Sequence, residues 1–270
     1  MATNEAGEAL VRIERSGGLA TLTLNRPQAF NALNLDLGEA LVDAAIACDE
    51  DASVRAVMIT GEGRAFCAGG DIRQMRDRAD AEGRAAAFLK KLTVQVHAAV
   101  TTFARMPKPV VTAVNGPAGG AGFSLAVCGD LVVAADTATF ALAYTAIGLA
   151  PDGGSTFYLP RLVGAKRAFE LIAGNRSLSA AEAQALGLVN EVFPAASFAA
   201  DAEAFARSLA EGPTQALAAA KKLLLLSTES GLETQMEHER QAIADCARSD
   251  DFVAGSTAFV EKRKPTFEGQ

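Results

Sequence analysis

Tryptophan is absent from this chain of 270 residues, and tyrosine and histidine occur only twice each. Two histidines, His97 and His238, leave little for a His-rich metal centre, and no metal site is expected. The four cysteines, Cys48, Cys67, Cys128 and Cys246, stand apart without CxxC spacing. That excludes a zinc knuckle and a disulfide framework, and points to a reduced, cytoplasmic setting. No run of the sequence is long and apolar enough to cross a bilayer: the most apolar stretch, 137–151, is short and rich in Thr, Ala and Gly. Residues 1–10 carry Glu5 and Glu8 but no Lys or Arg ahead of an apolar run, so no secretory leader is expected. Positive charge is also in deficit. A net charge of -7 argues against a general nucleic-acid binder, which needs a basic face for phosphates. Neither a membrane nor a nucleic acid is therefore expected as a partner.

What is present is a large apolar fraction, 50%, enough for a chain of this length to bury a core without disulfides. Alternating residues at 10–14 and 19–24, separated by Ser16-Gly17-Gly18, predict a β-hairpin. Leu33, Leu37, Leu41, Ala45 and Cys48 recur at helical spacing, with Asn34 placed to cap the helix. Two apolar, β-branched runs, 54–60 and 110–114, read as buried parallel strands, each leading into a glycine-rich loop (61–71 and 115–122). Between them a polar stretch from Arg73 to Arg84 is the candidate mobile segment, followed by a helix over 85–104. A helix over 120–128 and a strand over 131–135 come next. After Gly153 helical periodicity dominates, over 165–173, 179–186, 199–211, 213–227, 233–248 and 254–264, with Pro213 as a first helical residue. The pattern predicts an α/β core over 1–195 and a helical region over 196–270.

The densest special feature is Gly116-Pro117-Ala118-Gly119-Gly120-Ala121-Gly122. A P-loop would continue with Gly-Lys-Ser/Thr, yet Phe123-Ser124 follows; a dinucleotide fingerprint would need a third Gly that is missing. An oxyanion hole remains, with backbone N–H groups facing a developing negative charge, as does a turn that merely packs a helix closely on a sheet. The loop Ala65-Phe66-Cys67-Ala68-Gly69-Gly70-Asp71 could supply a second donor to the same point. Ser124 lacks a GxSxG elbow, because Ala126 stands at its last position. No neighbouring His or cation activates Cys67, and both histidines sit in helical patterns. Asp152, in Gly148-Leu149-Ala150-Pro151-Asp152-Gly153-Gly154, is the carboxylate that stands out. Apolar neighbours with no cation nearby suit a group that takes up and returns a proton; the same Asp could instead cap a helix beginning near Gly153.

Asn25-Arg26-Pro27 with Asn31-Ala32-Leu33, then Ile59-Thr60-Gly61 leading to Phe66-Cys67-Ala68-Gly69-Gly70-Asp71-Ile72, then Val114 to Gly122, resemble the enoyl-CoA hydratase/isomerase (crotonase) superfamily. So do Leu159-Pro160-Arg161-Leu162-Val163-Gly164, the AQALGLV of 183–189 and the tail 259–265. The resemblance implies an α/β fold, a crotonase-like spiral of ββα units with a helical C-terminal trimerisation region, and a homotrimer or dimer of trimers. It implies an acyl-CoA thioester substrate and no separate cofactor, coenzyme A being part of the substrate. The family's oxyanion donors fall on the N–H groups of Gly70 and Ala121. Its coenzyme A contacts fall on Ala68, Asp71 and Ile72, on Arg26, Ala29 and Phe30 near the pantetheine and phosphate end, and on Lys262 in the tail.

The departures point to the chemistry. Hydratases of the family carry two Glu where this chain has Ser124 and Tyr144, whereas Asp152 matches the acidic residue of the Δ3,Δ2-enoyl-CoA and ring-epoxide isomerases. The expectation is an enoyl-CoA isomerase working with one carboxylate, the alternatives being a specialised hydratase or an idle acyl-CoA binder. Because the acidic chain must hold a polyanion, its positive charge is expected to be local, from Arg26, Arg64, Arg73, Lys262, Arg263 and Lys264.

Overall fold

The computed structural model of the chain describes residues 3, 4, 6–77 and 84–270. The hairpin forms as β1 (Val11–Ser16) and β2 (Leu19–Leu24), paired antiparallel. Helix α1 (Leu35–Glu50) follows, with Asn34 Oδ1 accepting from Leu37 N at 2.9 Å as the side-chain cap. Then come β3 (Ala56–Gly61), α2 (Ile72–Asp77), α3 (Arg84–Arg105) and β4 (Val110–Val114). The middle of the expected mobile stretch, 78–83, lies outside the described residues.

The second glycine loop holds a two-residue strand β5 (Ala118–Gly119) and starts α4 (Ala121–Ala126); β6 (Leu131–Ala135) and β7 (Thr139–Ala141) come next. Helices α5 (Ser155–Val163) and α6 (Ala165–Gly174), strand β8 (Leu178–Ser179), α7 (Ala180–Ala185) and β9 (Glu191–Phe193) lead to α8 (Phe198–Ala210), α9 (Thr214–Leu226), α10 (Leu232–Cys246) and α11 (Asp250–Val260). The strands build two sheets, ordered β1-β2-β3-β4-β6-β9 and β5-β7-β8. From β2 to β9 the larger sheet is parallel, as its uninterrupted apolar runs predict, since both faces are covered. Helices α1 and α3 pack on each other, and α8 covers the sheet with Phe198, Ala202 and Ala206 buried. Helix α8 is thus part of the core; α10 buries no residue.

Three details differ from the sequence reading. Pro213 precedes α9 as its cap rather than opening it, because its ψ of 88° is not helical. Helix α11 starts earlier than expected, where Ser249 Oγ accepts from Phe252 N, and stops before Lys262, whose φ of 55° is left-handed. Helix α5 begins close to the start considered near Gly153, with Gly154 rather than Asp152 at its N-cap and Pro160 inside it, whereas the small second sheet was not foreseen because its strands are two or three residues long. Asp251 accepts from Glu268 N at 2.7 Å and Gly269 N at 3.0 Å, folding the tail back onto α11.

Lys108 ties the β4 approach to the end of α1. Its ammonium, buried at 6% exposure, donates to the carbonyls of Cys48, Asp49 (3.0 Å) and Asp51 (2.7 Å). It thereby satisfies acceptors left over at the helix end. Lys108→Met should lower unfolding free energy by about 2–3 kcal/mol, since hydrogen bonds to a charged donor are lost and a buried carbonyl is stranded. Urea denaturation of the variant beside the parent measures it; an unchanged midpoint would contradict the capping role.

Candidate active site

Both glycine loops leave the C-terminal ends of neighbouring parallel strands, β3 and β4, and meet beyond the sheet edge. They pair as a short parallel bridge: Gly119 N donates to Cys67 O at 2.9 Å and Cys67 N to Pro117 O at 3.3 Å. The approach depends on glycine. A Cβ on Gly122 would stand 2.0 Å from Cys67 O, and Gly120 has a φ of 51° with ψ of -123°, which side chains disfavour.

Other donors of the loops are spent on neighbouring segments. Ala68 N bonds Phe30 O, Asp71 N bonds Leu33 O, and Gly120 N bonds Ala141 O. The N–H groups of Gly70 and Ala121 donate to no protein acceptor among the described residues, and both residues line one cavity of about 400 Å³. Two unspent backbone N–H groups on one largely apolar cavity are the elements from which an oxyanion hole is built. The walls are Leu33, Ile72 and Met75 on one side, Leu92 and Val96 of α3 on another, and Tyr144, Leu149 and Asp152 opposite. Asp152 is the only carboxylate among the described lining residues.

The Asp152 loop is fixed from several sides. Its backbone carbonyl accepts from Ser124 Oγ at 2.8 Å, Ser155 Oγ at 2.9 Å and Ser155 N at 3.2 Å. Gly153 N donates to His97 Nε2 at 3.2 Å, which puts the ring proton on Nδ1. The carboxylate itself makes no helix cap; Tyr144 Oη donates to its Oδ1 at 2.6 Å. Tyr144 Oη also lies 2.9 Å from Ser124 Oγ. Burial and the adjacent Asp152 charge push the Tyr144 phenol up, so it remains a donor. His97, read from the sequence as part of a helical pattern, and Tyr144, set by the resemblance at a hydratase glutamate position, both bond the Asp152 loop. The role of His97 is visible only in three dimensions, since 55 residues separate it from Asp152 in the chain.

The other expected contacts divide. Ala68 and Ile72 line the cavity. Arg26 turns inward, its guanidinium donating to Asp71 Oδ2 at 2.8 Å and Ala32 O at 2.7 Å, which braces the first glycine loop. Both side chains of that ion pair are largely buried, so Arg26 and Asp71 serve loop geometry here. Ala29 lies in the turn beside them, and Phe30, exposed, carries the Arg64 guanidinium 4.4 Å above its ring. Arg73 is exposed on α2. Lys262 is exposed past the end of α11 and does not line the cavity; Arg263 pairs with Glu261. Among the described residues no group of His, Cys, Asp and Glu is placed to hold a metal ion, and no helix is long and apolar enough to cross a membrane.

The site thus combines a cavity at the ends of the parallel strands with two unspent backbone donors and one aspartate. The chain belongs to the enoyl-CoA hydratase/isomerase family, the crotonase superfamily, whose members act on CoA thioesters: that family's model matches residues 14–270. It is 37% identical over 253 residues to 1,2-epoxyphenylacetyl-CoA isomerase of Escherichia coli K12, covering 94% of this chain and 96% of that protein. It is 38% identical over 252 residues to 4-chlorobenzoyl coenzyme A dehalogenase-2 of an Arthrobacter species, covering 93% and 91%. The crystal structure of an enoyl-CoA hydratase from Mycobacterium smegmatis superposes with a TM-score of 0.88 at 35% identity, covering 96% and 99%. The fold is shared among relatives of different chemistry, so the reaction must be argued from the site.

Burial settles the thiols. Cys67 and Cys128 are buried and desolvation pushes both up to about 12; Cys48 is also buried and raised. A thiol reagent added to the native protein at neutral pH should modify Cys246, the partly exposed one, and spare the other three until denaturant is added. Peptide mapping reads this, and rapid native labelling of Cys67 would restore it as a nucleophile.

Proposed function

We propose that this protein is an acyl-CoA isomerase that moves a double bond from position 3 to position 2 of a CoA thioester, or performs closely related enolate chemistry. The observation that carries the reading is the single carboxylate, Asp152, in a cavity with two free N–H groups. Asp152 takes a proton from C2; the electron pair spreads through the thioester carbonyl as a dienolate, and the proton returns at C4. Gly70 N–H and Ala121 N–H hold the enolate oxygen, each contributing about 3 kcal/mol to the barrier reduction. Hydration of a 2-enoyl thioester calls for activation of a water and delivery of a proton, work that two carboxylates share in hydratases. Here Ser124 and Tyr144 stand at those positions, and their hydroxyls bond to each other and to Asp152.

The acyl group fits an apolar cavity: apart from Asp152, no charged side chain is among its described lining residues. Coenzyme A lies toward Ala68, Ala29 and Phe30, with Arg64 the cation best presented for a phosphate and Lys262 reaching it from a neighbouring subunit. No further cofactor is called for. The helices after the core expose Leu224, Leu232, Met236, Ile243, Phe252, Val253, Phe259 and Val260, an apolar surface suited to assembling a homotrimer or dimer of trimers.

With trans-3-hexenoyl-CoA as probe, the wild-type enzyme should form the conjugated 2-enoyl ester. In deuterated water the product should carry deuterium where the proton returns or exchanges. Asp152→Asn should lower the isomerisation rate by about 10²–10⁴-fold with little change in ester binding. Fast hydration of crotonyl-CoA by the wild type would favour a hydratase. Tight ester binding without any exchange would favour an idle binder.

A further inference from the structure

The geometry points to Tyr144 as a positioning residue for Asp152: its hydroxyl holds one carboxylate oxygen and changes partner as the carboxylate gains or loses its proton. The inference rests on the reading of Asp152 as acid and base. Tyr144 Oη lies between two acceptors, Asp152 Oδ1 at 2.6 Å and Ser124 Oγ at 2.9 Å. Ser124 is fully buried, and its own hydroxyl proton has a carbonyl to bond, Asp152 O at 2.8 Å, with Gly120 O more distant at 3.4 Å. Oxygen lone pairs on Ser124 are therefore open to a donor from Tyr144.

Two hydrogen-bond patterns satisfy the same atoms. With Asp152 charged, Tyr144 donates to Oδ1 and Ser124 to the Asp152 carbonyl. When the C2–H bond breaks and a new O–H bond forms on Oδ2, Oδ1 becomes a weaker acceptor. A rotation about the phenolic C–O bond then turns the Tyr144 proton to Ser124 Oγ, and no heavy atom need move. On return of the proton to C4, the rotation reverses. The phenol remains protonated throughout, because burial and the neighbouring charge raise it. Oδ2 bonds no protein group among the described residues, which leaves it as the oxygen that meets substrate. Tyr144 is only 8% exposed, so water does not replace either partner readily.

The surroundings keep this pair dominant. The titratable groups bonded to the loop are Tyr144 and His97, the latter through Gly153 N on its other side. Helices α2 and α3 face the cavity with Met75, Leu89, Leu92, Thr93 and Val96, none of them charged. Asp152 has no ion-pair partner among the described residues. Tyr144 is thus the side-chain donor that the Asp152 carboxylate meets among the described residues.

The pH dependence of isomerisation of trans-3-hexenoyl-CoA, measured for wild type, Tyr144→Phe, Ser124→Ala and Asp152→Asn, tests the assignment. Tyr144→Phe keeps the ring but removes the donor to the charged form. It should lower kcat about 10-fold with KM within about 2-fold, and move the acidic limb of the kcat profile about one pH unit upward. Ser124→Ala removes the acceptor needed when Asp152 is neutral, and should move that limb the opposite way, to lower pH. Thermal melts establish that each variant is folded, and Ser124→Ala decides alone should Tyr144→Phe not fold. Wild-type kcat and pH limbs in the hydroxyl variants, with Asp152→Asn inactive, would overturn the inference while leaving the isomerase reading intact. Full activity in Asp152→Asn would remove the reading on which both stand.

Discussion

Everything at the site depends on how closely two glycine loops approach. The bridge between Cys67 and Gly119 is made of backbone alone, and the absent side chain of Gly122 lets α4 sit against the Cys67 carbonyl. Any side chain there would push the helix away from the first loop and separate the N–H groups of Gly70 and Ala121. Electrostatic stabilisation of an enolate needs both donors at one oxygen, within hydrogen-bond distance. The parallel sheet sets up this meeting, since β3 and β4 run side by side and deliver both loops to the same edge. Arg26 and Asp71, an ion pair withdrawn from solvent, brace the first loop from behind.

The second constraint is how few polar groups the cavity contains. A carboxylate in an apolar pocket with no counter-charge beside it depends strongly on the few hydrogen bonds it makes. Here the backbone around Asp152 is fastened by Ser124, Ser155 and His97, while the side chain is touched by Tyr144. The loop is held by several hydrogen bonds, and one carboxylate oxygen bonds no protein group among the described residues. In the proposed isomerase reading, one such carboxylate suffices to carry a proton from C2 to C4, whereas hydration would also require a water to be placed.

Overall acidity and a polyanionic substrate are reconciled by placement. Of the cations that the sequence offers for coenzyme A, Arg26 is engaged by Asp71 in a largely buried pair, Arg263 meets Glu261 in an exposed one, and Arg64 lies over Phe30 near the first glycine loop. A residue's charge says nothing about its availability until its partners are known.

Much of the fold was legible in the chain. The hairpin, the Asn34 cap, and the strands at 110–114 and 131–135 follow from local pattern, because alternation, capping and apolar runs act over a few residues. The glycine loops and Asp152 were visible for the same reason: glycine where the backbone must turn or approach closely, and an acid alone in an apolar run. Pro160 hid the extent of helix α5, though not its start near Gly153, and strands of two residues leave no periodicity to read. The inward turn of Arg26, the anchoring of Gly153 by His97 and the contact of Tyr144 with Asp152 were beyond the sequence. They join residues far apart in the chain, or on separate elements, whose distances are set by packing. The sequence by itself determined most of the elements, the two glycine loops and the candidate acid. The tertiary structure alone decided which side chains surround that acid, since hydrogen bonding depends on separations of ångströms that chain order does not encode.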